Sequence, residues 1–136
     1  MKNSTYTFRT LLAATVAFAA IAFSAQAASL SDKDKQFLAG YEKVHVALAA
    51  DDLASAKAAA KDLAEEDSDI AKASSIQDAR VAFEKLSNRA KMLVTGQSGY
   101  HVFHCPMLKK DWVQTSKEVS NPYGGKAMLT CGEVKS

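Results

Sequence analysis

The chain has 136 residues, 48% hydrophobic and 24% charged, with 17 Lys and Arg against 15 Asp and Glu. That length bounds it to one domain of ordinary size. The near balance of charge excludes a strongly basic face for nucleic acid or anionic lipid.

Residues 1–27, MKNSTYTFRTLLAATVAFAAIAFSAQA, have the three parts of a secretory signal: Lys2 and Arg9, an apolar run from Leu11 to Phe23, and the small-residue site Ala25-Gln26-Ala27. The apolar run is shorter than the ~20 residues of a membrane span. Cleavage is predicted after Ala27, giving a periplasmic protein with no membrane segment. The predicted mature domain, 28–136, then carries 15 basic and 15 acidic residues, because the signal takes two basic residues and no acidic one with it.

Residues 28–96 read as a helical scaffold. Ser31 is a predicted N-cap, with Asp32 and Asp34 in the first turn, and Phe37, Tyr41, Val44 and Leu48 mark one face. Gly40 interrupts this helix, as a point of close approach or without meaning. Asp51 or Asp52 ends it and caps a second, Ala-rich helix with Leu53, Ala56, Ala60 and Leu63 on its inner side. The acidic run Glu65 to Asp69 reads as a solvated loop. Ser75-Ile76-Gln77-Asp78 resembles a capping box, and Ile76, Ala79, Phe83, Leu86, Ala90 and Leu93 follow as a six-position seam. The predicted fold is therefore mainly α: a small antiparallel bundle of three helices, then a short irregular or β segment at 97–136. His45 falls inside the apolar arc and reads as a hydrogen-bonded core histidine, and Met92 as core filler.

Tyr100 to Gly132 concentrates the reactive chemistry: both cysteines, two of three histidines, the only Trp and both prolines. Cys105-Pro106-Met107 and Met128-Leu129-Thr130-Cys131 form two sulfur clusters, with His101 and His104 just before the first. Thiolate, thioether and imidazole select Cu(I), and thiolate with imidazole also suits Zn. In a strand from Tyr100 to Cys105, His101 shares a face with Cys105, while His104 needs a bend at Pro106 to join it. Met128 and Cys131 share a side only in a helical turn, and Asn121-Pro122-Tyr123-Gly124-Gly125 supplies the reversal that brings them back. Trp112 and Tyr123 roof the site or pack it onto the helices. The alternative is a Cys105–Cys131 disulfide, expected of two cysteines in an exported domain.

The stretch HCPM…W…NPYGGKAML-CG resembles a bacterial domain of unknown function that occurs alone in exported proteins or C-terminal to CusB-like heavy-metal efflux membrane-fusion proteins. The likeness rests on Cys105-Pro106-Met107, Trp112, Asn121-Pro122-Tyr123 and Met128-Leu129-Thr130-Cys131-Gly132, with Val81 to Ser87 similar to the helix before the motif. The chain departs from the pattern at Gly124, where an aromatic is usual, and in the short spacer between Met107 and Trp112. The resemblance implies a periplasmic role in binding copper or a related metal.

Two functions are therefore expected. One is an exported soft-metal protein that buffers Cu(I), or zinc, or hands it to a CusB-like efflux partner, with Cys105, Met107, Met128, Cys131, His104 and His101 as candidate ligands. The other is a disulfide-stapled helical interaction domain without metal. Neither is an enzyme: no Cys-x-x-Cys, Ser/His/Asp arrangement or Gly-rich phosphate loop is present.

Overall fold

A computed structural model describes residues 29–63 and 69–135. The predicted signal segment and residues 64–68, with most of the acidic run, lie outside the described residues. The described chain is mainly helical, with a small antiparallel sheet at its C-terminal end. No helix among the described residues is long and apolar enough to cross a membrane.

Helix α1 (Asp32–Ala49) begins where Ser31 accepts the N–H of Asp34 at 3.2 Å. The predicted face Phe37, Tyr41, Val44 and Leu48 is buried. Gly40 is a close approach: a Cβ there would lie 2.6 Å from Leu63 Cδ2. Asp51 takes a left-handed conformation (φ 59°). Asp52 is then the cap of helix α2 (Leu53–Lys61), accepting the N–H of Ser55 at 2.9 Å. Ala56 and Ala60 face inward, so α1 and α2 pack with little side-chain bulk between them. A four-residue helix α3 (Asp69–Lys72) begins on the last residue of the run read as loop and buries Ile70.

Helix α4 (Ile76–Val94) starts at Ser75, which accepts the N–H of Asp78 at 3.1 Å. Ala79, Phe83, Leu86 and Ala90 of the predicted seam are buried, and Ile76 and Leu93 partly so. Met92 corrects the sequence reading. It is 72% exposed and fills no core, because it lies off the seam on the solvent side.

The sheet has the order β2-β1-β3, all antiparallel. Strand β1 (His101–Cys105) was expected; β2 (Lys110–Gln114) and the two-residue β3 (Glu133–Val134) were not. β1 and β2 form a hairpin with Phe103 opposite Trp112 and His104 opposite Asp111. The outward N–H of Val113, on edge strand β2, donates to Tyr41 Oη at 3.0 Å and joins the sheet to α1. α4 packs on the same strand. Between sheet and helices runs an aromatic row: Tyr41 stacks on Phe83 at 4.9 Å, and Tyr123 leans on Phe83 at 5.7 Å. Both tyrosine hydroxyls lie 3.0 Å from Ser87 Oγ, a fully buried hydroxyl in the middle of α4. Burial raises both phenol pKa values against the opposing pull of these hydrogen bonds, so both remain neutral at any physiological pH.

Candidate functional site

The two sulfur clusters meet. Cys105 and Cys131 form a disulfide, with Cα atoms 5.5 Å apart and 26 residues between them in sequence. Each lies where backbone geometry puts it. Cys105 is the last residue of β1, fully buried, on the side of the strand shared with Phe103. Phe103 stacks on Trp112 with ring centroids 5.7 Å apart. Trp112 also lies against the chain beside Cys131: a Cβ on Gly132 would come within 2.5 Å of its ring. The two aromatics divide the segment between them. Trp112 covers the sulfur corner and Tyr123 packs the segment onto α4.

The return of the chain depends on Asn121, which is fully buried. Its Oδ1 accepts the N–H groups of Tyr123 and Gly124 at 2.9 and 3.0 Å, an Asx turn over Pro122. Its Nδ2 donates to the carbonyl of Cys131 at 2.8 Å, and its N–H to Leu129 O at 2.9 Å. One amide side chain thus joins both ends of the reversal. A 3₁₀ turn (Gly125–Met128) follows, and the N–H of Cys131 closes on Met128 O at 2.9 Å. This is the helical turn that puts Met128 and Cys131 on neighbouring ground, with Met128 half-buried against the core.

The remaining candidates lie elsewhere. The chain does turn at Pro106, but β1 stays extended through Cys105, so the turn leaves His104 on the opposite face. His104 sits on the opposite face, where Asp111 Oδ1 takes its Nδ1 at 2.7 Å. His101 shares the face of Cys105 but four residues along the strand, about 13 Å away. Met107 is 75% exposed in the hairpin turn. His45, 2% exposed, makes a 2.6 Å hydrogen bond from Nε2 to Ser120 O, as a core histidine does, while its Nδ1 has no hydrogen-bond partner and lies 3.7 Å from Glu42 Oε1. The six candidates therefore do not share one coordination sphere in the disulfide form. Among the described residues no three His, Cys, Asp or Glu side chains are grouped to hold a metal ion.

Two buried polar residues, Arg80 and Gln114, organise the corner, and partly buried Asp111 the opposite face, without any local sequence signal. Arg80 donates from Nε to Pro122 O at 2.9 Å, and from Nη2 to Leu48 O at 3.0 Å and Asp51 Oδ1 at 2.5 Å. It ties the end of α1, helix α4 and the Asn-Pro-Tyr turn into one joint. The Arg80 hydrogen bond, with the N–H of Lys126, holds the Asp51 carboxyl below its ordinary range. Gln114 accepts from Trp112 Nε1 at 2.8 Å and from the N–H of Ser120 at 3.2 Å, and donates to Ser116 O and Glu118 O, which fixes the loop over the sheet. Asp111, on the other face, receives Lys135 at 2.8 Å, His104 at 2.7 Å and Lys91 at 3.1 Å. Burial acts to raise its pKa, but these three donors outweigh it and hold the carboxyl well below the usual range.

Compared with protein-family models, curated proteins and solved structures, the chain matches none.

Proposed function

We propose that the chain is an exported helical interaction domain stapled by Cys105–Cys131 and acting without catalysis. The observation that carries this reading is the pairing of the two cysteines across a segment that Asn121 and Arg80 already hold in place. The staple secures the tail, whose own strand is two residues long, against the hairpin. In this reading α1, α2 and α4 form the antiparallel three-helix bundle expected from the sequence. The working place is the periplasm, after cleavage at Ala27.

A second reading, the soft-metal carrier, is supported by the same convergence. On reduction the two sulfurs are the ligands that would hold Cu(I) or zinc, with Met128 on the adjoining turn. Soft-ligand binding of the ion is the only chemistry such a site supplies.

Intact mass of protein isolated from the periplasm, with and without reductant, separates the two. The stapled domain is expected to show a two-dalton deficit in every molecule and no retained metal. Titration of Cu(I) and Zn(II) into reduced protein then tests the carrier, and absence of stoichiometric binding of either ion removes it.

A further inference from the structure

We propose that Cys131 is an S-thiolation site, at which a small thiol forms a mixed disulfide and leaves Cys105 as a buried thiol. The proposal rests on the Cys105–Cys131 bond used above. It goes further in treating the two ends of that bond as chemically unequal.

The inequality lies in their placement. Cys105 is fully buried at the end of β1, whereas Cys131 keeps partial exposure just before β3. Thiol–disulfide exchange requires a thiolate to approach one sulfur, and access decides which. From solvent that sulfur belongs to Cys131. The entering sulfur bonds to Cys131 as the Cys105–Cys131 bond breaks, and the Cys105 sulfur leaves with the electron pair and takes a proton from solvent. One disulfide and one thiol are consumed and one of each is formed, so the step needs no other oxidant or reductant.

One feature favours persistence of the adduct. The turn at Cys131 is held without its sulfur, through Cys131 N–H to Met128 O and Asn121 Nδ2 to Cys131 O. Cys131 can carry a substituent while its backbone stays in place.

The test uses the chain oxidised to completion in vitro, so it does not depend on the redox state in the cell. Folded protein is exposed to glutathione, quenched with acid, alkylated and mapped by peptide mass at early times. The expected map has glutathione on the Cys131 peptide and the alkyl group on the Cys105 peptide, in about tenfold excess over the reverse. An even split, the reverse assignment, no adduct before unfolding, or full reduction with no adduct at the earliest time overturns the proposal. As a second measurement, glutathione disulfide is expected to modify the free Cys131 of Cys105→Ser about tenfold faster than the free Cys105 of Cys131→Ser, with the difference lost in urea. Equal rates in the folded variants, or a difference that survives in urea, overturn it. Failure of the stapled-domain reading is visible separately, as absence of the two-dalton deficit in protein from the periplasm.

Discussion

Asp111 shows how one side chain can settle the orientation of another. Its carboxylate holds the His104 ring on the face of the sheet opposite Cys105, where strand alternation places it. The same carboxylate balances Lys91 and Lys135. Its pKa is depressed in the folded chain, so its contribution to stability is complete above the unfolded carboxylate pKa of about 3.9. The contribution is lost as pH falls from there through the folded value. Asp51, Asp52 and Asp78 are shifted in the same direction, so the wild-type curve alone does not isolate Asp111. Urea midpoints for wild type and Asp111→Asn should differ above pH 4 and converge below it. A constant gap down to pH 2 would show that Asp111 acts by shape rather than charge. None of this is legible in the sequence, because His104 and Asp111 are seven residues apart and meet only through the hairpin register.

Helices α1 and α4 carry their own signals: an N-cap, a full apolar period and enough length to repeat it. The sheet carries few. In β2 the consecutive residues Trp112, Val113 and Gln114 are all buried, so the polar–apolar alternation that marks a half-buried strand is missing. The cause is tertiary. The tail covers one face of β2, and α1 and α4 close its outer edge. The Asn-Pro-Tyr-Gly-Gly turn was readable as a reversal, but its anchoring to α1 through Arg80 and Asp51 was not. Gly125 records that anchoring. It has φ 56°, and a Cβ there would fall on the Asp51 carboxylate and the Arg80 guanidinium. Gly125→Ala should therefore lose about 1–3 kcal/mol of stability in urea denaturation, from strain at positive φ at a turn packed against the Asp51–Arg80 pair. A loss under about 0.5 kcal/mol, the ordinary surface value, would mean that the turn is free to move off the joint.

At the scale of the molecule, one covalent bond spans the part of the fold with the least regular hydrogen bonding. Closing a 26-residue loop is worth about 3.5 kcal/mol in the chain-entropy treatment. Reduction should lower the unfolding free energy by about that amount, measured by urea denaturation with and without reductant. A change under about 1 kcal/mol would mean that Asn121 and Arg80 already restrict the loop in the denatured ensemble or that the native form relaxes on reduction. The pairing itself was legible as one of two outcomes of cysteine placement in a chain with a predicted signal segment. What local spacing does not encode is the anchoring by Asn121 and Arg80 that brings Cys131 back to the end of β1.

The single indole of the chain lies at that same corner, its ring pressed on the backbone of Gly132 and its N–H given to Gln114. Trp112 is thereby a built-in optical gauge. Its emission maximum reports the polarity of one small region, with no second indole to blur the signal. Loosening of the tail from the hairpin admits water to that ring and moves the spectrum to the red, while events confined to the far end of the helices leave it still.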